Sequence, residues 1–449
     1  MTPVRPVSAA PRRTILGAGA SLLARPALLL PAFAPAALAQ PVPAQADPRA
    51  APGMSRTAAR GPAQDDFLFR WMVVADRLAS DPQTTQWPRA HTIAMVAIAI
   101  HDALNAIEPR YRRWAPRGRG EPRAAGASPL AAMSMAAFSV LARRHIASTR
   151  SAEVEALLQE ALARVPSASG RSAGVALGSA IGTATLDRAG PSPEKRAFPV
   201  SDAEGRWRPT PPLPLLGITY VDQPMLFPDN ASLRGPPPPD ITSARFRAEV
   251  EEVRRMGGAG ETGRSAAQTE AASFWVPQSL QRNLHRFLLL RLASQPPAGG
   301  LWEEARMNAV LAVAFADNDV LLFAEKLHYL FWRPVTVINA GCPGLRPDPS
   351  WTTLLPTPPH PEYPSGHSAD FATGAAVLTG LLGEGPVAYQ AVDRAGQPIR
   401  EFPSLAAASE ECSESRIWAG AHFRSALVEG QRIGRAVAAR ALQQVPALR

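Results

Sequence analysis

Three short windows in the second half of this 449-residue chain concentrate residue types that bind and transform anions: KLHYLFWRP, HPEYPSGH and SRIWAGAHFR. Between them they hold Lys326, Arg333, Ser365, Gly366, His367, Arg416 and His422, with His360 at the start of the middle window. Two guanidinium forks, an ammonium, a hydroxyl and the backbone N–H groups of a helix starting after Pro364 would make a cage for a tetrahedral or trigonal-bipyramidal oxoanion. Inside such a cage one imidazole can bond the central atom while the other moves protons. Lys326 and Arg333 stand seven residues apart, a spacing that reads as one face of a helix ended by Pro334. Taken singly, each residue has an ordinary explanation as a solvated cation, a satisfied core histidine or a capping turn. Their order and clustering carry the signal.

Helices must position these windows, and the apolar pattern supplies them. DFLFRWMVVADRL, HTIAMVAIAIHDALNAI and SPLAAMSMAAFSVLARRHI repeat apolar residues at helical spacing in the first half. Gly170, Gly174, Gly178 and Gly182 recur on one helix face, which predicts close approach of a neighbouring helix. The proline-rich stretch 205–240, with Pro236 to Pro239 in a row, reads as an extended connection rather than helix or strand. Beyond it, ITSARFRAEVEEVRRMG, RSAAQTEAASFW, SLQRNLHRFLLLRLA and a long apolar segment from about 302 to 330 again read as helices. No strand alternation or βαβ rhythm is visible, so the expected class is all-α. His101-Asp102 lies on a helix apolar almost all round, where a buried pair satisfied locally is the expected reading.

Hydrophobic residues make up 46% of the chain and charged residues 19%, a balance that closes a core. Arg12-Arg13, a weakly apolar stretch and Ala37-Leu38-Ala39 predict a cleaved twin-arginine signal over 1–39, and hence a periplasmic or secreted product. Residues 40–64 read as a flexible leader, and 65–449 as one large helical unit with halves 65–204 and 241–449. Four arginines of the signal account for four of the nine net positive charges, and no Lys/Arg block points to nucleic acid. No 20-residue apolar run is read as a membrane span. Cys342 and Cys412 are too few for a thiolate metal site, and their pairing is left open at this level. Oligomeric state is not legible.

The pattern Lys326 to Arg333-Pro334, then Pro364-Ser365-Gly366-His367, then Ser415-Arg416 to His422 resembles the vanadium-dependent haloperoxidases, in the superfamily that they share with type 2 phosphatidic acid phosphatases and bacterial acid phosphatases. The HTIAMVAIAIHDALNAI, PPPPDITSARF and QTEAASFW segments resemble the bacterial branch. The resemblance implies two packed helical bundles with the oxyanion site in the second half. It implies orthovanadate on His422, its oxygens held by Lys326, Arg333, Ser365, the Gly366 N–H and Arg416. His367 would take a proton from hydrogen peroxide, and Lys326 would polarise the bound oxidant for attack by halide, giving hypohalous acid that acts on a small organic acceptor. In a phosphatase the same cage would take phosphate, with His422 as nucleophile.

Several positions depart from the family pattern or bear on halide choice. His360, seven residues before His367, resembles the bromoperoxidases, although a histidine there can equally brace the turn. The family aspartate four residues after the anion-bonding histidine is Ala426 here, so support for that imidazole must come from elsewhere. Phe323 replaces a common tryptophan and Ala324 a common acid, and Asp317 is left as a candidate partner for an arginine. Three readings stand at this stage: haloperoxidase, acid phosphatase, and a non-catalytic oxyanion-binding helical protein.

Overall fold

The computed structural model describes residues 66–444 except 81–87, 119, 145–150, 191–195, 211, 214–220, 222, 261–262, 384 and 394–396. The predicted signal over 1–39 and leader over 40–64 lie outside the described residues.

Five helices make the first half: α1 (Phe67–Ala79), α2 (Arg89–Ile107), α3 (Pro129–Arg144), α4 (Ser151–Ala163) and α5 (Ala168–Ala189). Side-chain caps open several of them, as where Asp66 accepts from the Phe69 N–H at 2.9 Å and Ser167 from the Gly170 N–H at 3.1 Å. The second half holds α6 (Ala244–Met256), α7 (Ala266–Trp275), α8 (Leu280–Ser294), α9 (Gly300–Tyr329), α10 (Pro334–Ala340), α11 (Gly366–Leu382), α12 (Leu405–Trp418) and α13 (Arg424–Gln444). Both halves contribute to one apolar cluster running from Phe67 to Ala441, because α2 packs along α9. Each helical segment read from the sequence contains a helix here, although the third was read past Arg144 into residues that are not described and the helix read through Lys326 stops at Tyr329.

α2 and α9 carry polar and charged side chains yet are apolar enough over their length to cross a membrane by composition, contrary to the reading that no such run exists. Both lie mostly buried within the protein, which is why they are apolar on every face. Inside α2, Asp102 accepts the N–H groups of Trp114 at 2.9 Å and Ala115 at 2.8 Å and contacts His101 Nδ1 at 3.1 Å. The pair pins a loop, in line with the structural reading.

The glycine stripe on α5 lies against α3, where a Cβ at Gly178 would fall on the Ala132 carbonyl oxygen. The same device joins α13 to α11: Cβ atoms at Gly430 and Gly434 would collide with the carbonyls of Ser365 and Ala369. One departure from an all-helical chain is a short antiparallel hairpin, β1 (Tyr389–Val392) with β2 (Pro398–Phe402), pairing Tyr389 with Phe402. Strands of four and five residues are too short to show a period in sequence.

The described residues of the connection 205–240 form neither α-helix nor strand and include a 3₁₀ turn, Pro228–Leu233. Asp317 of α9 explains its course. The carboxylate accepts from Leu226 N at 2.6 Å, Phe227 N at 2.8 Å and Asn230 Nδ2 at 2.8 Å. Asp317 is therefore a staple for this segment and not the partner of a site arginine; burial raises its carboxyl to about 7 against those three donors. Cys342 and Cys412 are unbridged and sit in different apolar clusters.

Replacing Gly178 by alanine should destabilise the protein by about 1–3 kcal/mol, because helix–helix contact leaves no space for a methyl group. Urea unfolding of the two proteins measures this, and an unchanged midpoint would reject the close-contact explanation.

Candidate oxyanion site

Three chain reversals bring the windows together. α9 ends at Tyr329 with Leu330 as a left-handed cap (φ 48°), and Arg333 is the N-cap of α10, with Pro334 as its first residue. Lys326 and Arg333 therefore do not share one helix face. They converge because the 330–332 turn folds the chain back.

The second reversal, with a cis Tyr363–Pro364 bond, leads to Ser365, the N-cap of α11, so the first-turn amides of Gly366 and His367 have no partner within the helix. The third follows α12, whose last turn carries Arg416. There Ala421 N and His422 N both return to the Arg416 carbonyl, at 3.0 and 3.3 Å. Gly420 at φ 77° makes this turn, and a Cβ there would collide with the Gly257 carbonyl at 2.6 Å.

Lys326, Arg333, Ser365, Arg416 and His422 are all at most 2% exposed. Arg333 donates to the His360 carbonyl at 2.9 Å and the Ala421 carbonyl at 2.7 Å, and its Nη1 lies 3.2 Å from His422 Nε2. Its Nη2 lies 3.1 Å from His360 Nδ1, so His360 braces Arg333. The Lys326 ammonium donates to the carbonyls of Pro361 at 2.9 Å, Glu362 at 3.1 Å and Pro364. In this arrangement Lys326 supplies charge and holds the turn of α11.

Arg416 differs from the other two cations: its Nε and Nη1 are buried without a partner in the protein. The Ser365 hydroxyl accepts from Ser368 Oγ at 3.0 Å, which leaves its own proton to donate. Burial lowers Arg333 to about 9 and Arg416 to about 10, and pushes Lys326 well below its ordinary value with Arg333 as the next cause. A desolvated cluster of this sign, with orphaned N–H groups and a helix N-terminus, fits an oxoanion such as vanadate or phosphate.

Glu362 is the residue that sequence reasoning missed, although it stands inside the quoted HPEYPSGH window. It is fully buried, and its Oε1 lies 3.0 Å from His422 Nδ1 while accepting the Phe423 N–H at 2.9 Å. That contact assigns the proton to Nδ1 and leaves the Nε2 lone pair facing the cage. Ala426, at the position of the family aspartate, accepts the Ser365 N–H through its carbonyl at 3.0 Å. An acid two residues before the PSGH turn was the available signal. Burial raises Glu362 to about 8 and, with Arg333 as the next cause, lowers His422 far below 6.5.

His367 is held through the Trp275 backbone, and its Nε2 is buried without a partner. Burial, then Arg416, lowers its value well below 6.5, so the ring is a neutral base. Phe323 forms the half-buried rim, 6.0 Å from the His360 ring centroid and 6.4 Å from Phe198.

Glu362→Gln should weaken oxoanion affinity by about 10–100-fold, the usual effect of losing such an imidazole partner, as read by vanadate calorimetry. Wild-type affinity would show that Glu362 does not orient His422. Lowered values at His360, His367 and His422 also mean that none of these rings titrates at 6.5 or above in the anion-free protein. Ring-nitrogen NMR shifts across pH 5–8 test this, and a site ring protonating near 7 would contradict it.

Comparison with known proteins bears on the fold. Residues 306–449 match the family model for the VCPO second helical-bundle domain. Vanadium chloroperoxidase of Curvularia inaequalis is 28% identical over a region covering 29% of this chain and 27% of its own, so the chain matches about a quarter of that relative's length. A bacterial vanadium-dependent iodoperoxidase structure superposes with a TM-score of 0.66 at 23% identity, covering 85% of this chain and 95% of the other. A holo-type bacterial vanadium-dependent chloroperoxidase gives 0.57 at 17% identity, covering 87% and 94%. Residues 306–449 thus match the second helical-bundle domain of vanadium chloroperoxidase, and the chain shares over 85% of its length the fold of a bacterial vanadium-dependent haloperoxidase.

Proposed function

We propose that this protein is a vanadium-dependent haloperoxidase that uses hydrogen peroxide to oxidise halide to hypohalous acid. The observation that carries the reading is the pairing of Arg416, with two buried N–H groups lacking protein partners, and His422, with its Nε2 face presented by Glu362. His422 would bond the central atom of vanadate, and Arg333, Arg416, Ser365 and the Gly366 amide would hold its oxygens. Bound there, vanadate supplies a Lewis-acid centre that activates peroxide without changing oxidation state. His367 Nε2 accepts the proton that peroxide gives up, and Lys326 keeps the α11 turn and the local positive charge in place.

The same cage would suit phosphoryl transfer with His422 as nucleophile. One observation favours the peroxidase. Proteins with the same fold in the comparisons are named as haloperoxidases.

A paired assay on one preparation tests the proposal: halogenation of a dye with peroxide and chloride, bromide or iodide, and hydrolysis of p-nitrophenyl phosphate, each with and without vanadate. Vanadate-dependent halogenation is the expected result, with bromide the favoured halide on the strength of His360. Ester hydrolysis inhibited by vanadate, with no halogenation, would overturn it in favour of a phosphatase, and vanadate binding with neither turnover would make the protein a binder only.

A further inference from the structure

The base of the site is held from outside the cage. Trp275 is the last residue of α7, so its carbonyl is one of those that a helix leaves without an intrahelical partner. That carbonyl accepts from the His367 ring, and because Nε2 of the ring has no partner among the described residues, Nδ1 makes the contact. The carbonyl also takes the Gln278 N–H at 3.2 Å. The Trp275 indole is fully buried, its ring edge-on to Phe371 at 5.2 Å, one turn of α11 beyond His367. The QTEAASFW segment, which contributes nothing to the anion cage, therefore ends on the imidazole that acts as base.

Residues of α12 and β2 fix the indole in turn. Its Nε1–H donates to Glu411 Oε1 of α12 at 2.9 Å, and Phe402 of β2 stacks on its ring at 5.5 Å. Arg400, also on β2, sets Nη2 3.0 and 3.1 Å from the two Glu411 oxygens and lies over the Phe274 and Phe402 rings. Cys412, the neighbour of Glu411, lies 4.0 Å from the His367 carbonyl, so α12 touches both ends of the arrangement. A buried indole N–H that loses its acceptor costs free energy, which the ring recovers only by moving to another partner. The backbone of the last α7 residue would move with it.

We propose that Glu411 is a positioning residue for His367: by anchoring the Trp275 indole it fixes the carbonyl that keeps the ring in its Nδ1–H tautomer, with Nε2 left to take the proton of peroxide. The inference rests on the haloperoxidase reading for the task of His367 and goes beyond it in naming what holds the ring. An imidazole that turns over or changes tautomer presents an N–H where a lone pair is needed, and a fixed partner on the other nitrogen prevents this. Arg400 keeps the Glu411 carboxylate in place, so the hairpin is part of the same support.

Three variants test this. Glu411→Leu removes the acceptor at a side chain that is 27% exposed, Trp275→Phe keeps an aromatic ring without the N–H, and Glu411→Gln keeps an acceptor oxygen. Ring-nitrogen NMR of the anion-free protein at pH 8 should show His367 as the Nδ1–H tautomer in the wild type and in Glu411→Gln, and as a mixture of tautomers in the other two. With vanadate bound, kcat for bromide oxidation should fall about 10–100-fold in Glu411→Leu and Trp275→Phe and stay near the wild-type value in Glu411→Gln. Vanadate affinity should hold in all three, since no cage residue is changed. An unaltered His367 tautomer in Glu411→Leu and Trp275→Phe would overturn the proposal. So would an equal loss of kcat in Glu411→Gln, or a fall in vanadate affinity alongside kcat, the mark of a merely structural role. The expected tautomer change in a protein that halogenates nothing would reject the haloperoxidase reading and retain Glu411 as the anchor of the ring.

Discussion

Three cations, Lys326, Arg333 and Arg416, are withdrawn from water within one small cage, and Glu362 meets its imidazole at 3.0 Å. Charges in that position are costly unless fixed oxygens or an opposite charge replace the lost hydration. The protein answers differently for each. Lys326 is surrounded by carbonyls of the α11 turn, and Arg333 by the carbonyls of His360 and Ala421. Arg416 keeps two N–H groups without a protein partner. The remaining imbalance is positive and localised, so an anion of the right shape recovers what burial costs. Most of the fold can be understood as the means of holding that imbalance in place, since α9, α10 and α12 each deliver one cation and one core must hold all three.

A second consequence follows for the imidazole beside the arginines. Positive neighbours and burial keep His422 unprotonated, as bonding to a metal centre or attack on phosphorus requires. Neutrality alone would allow either tautomer. Glu362 removes that freedom by accepting a hydrogen bond from Nδ1–H, and the Phe423 amide, which donates to the same oxygen, holds the carboxyl group against rotation. The acid comes from the loop before α11 and not from α13, which leaves position 426 small and buried. Along that contact Gly430 and Gly434 let α13 approach α11 closely, which sets the height of Ser365 in the cage.

The Pro-rich connection belongs to the same design. Asp317 fixes the backbone of residues 226–230, Arg234 meets Glu325 at 2.6 Å, and the Tyr329 and Tyr363 hydroxyls donate to Gly235 and Pro236 at 2.8 Å each. Tyr329 and Tyr363 come from the ends of the two elements that carry Lys326 and Ser365. Residues 226–236 are thus tied to the elements that carry Lys326 and Ser365, and the prolines at 236–239 lower the entropy lost in fixing the chain there.

What the sequence by itself determined was the inventory: helical segments with their caps, the glycine stripe of α5, and a set of cations, a hydroxyl and histidines whose types suit one oxoanion. These are local properties, written in residue type and 3.6-residue spacing. Tertiary structure decided the assignments that need distances. Lys326 and Arg333 looked like one helix face and prove to be joined by a turn, Asp317 looked like an arginine partner and proves to be a backbone staple, and the two cysteines lie in separate clusters. Glu362 was visible as a letter but not as the partner of His422, sixty residues away, because nothing local ties a glutamate to an imidazole across such a separation. Hydrogen-bond partners and burial are properties of the closed core, and chain spacing encodes them only where a helix or a turn makes neighbours of nearby residues.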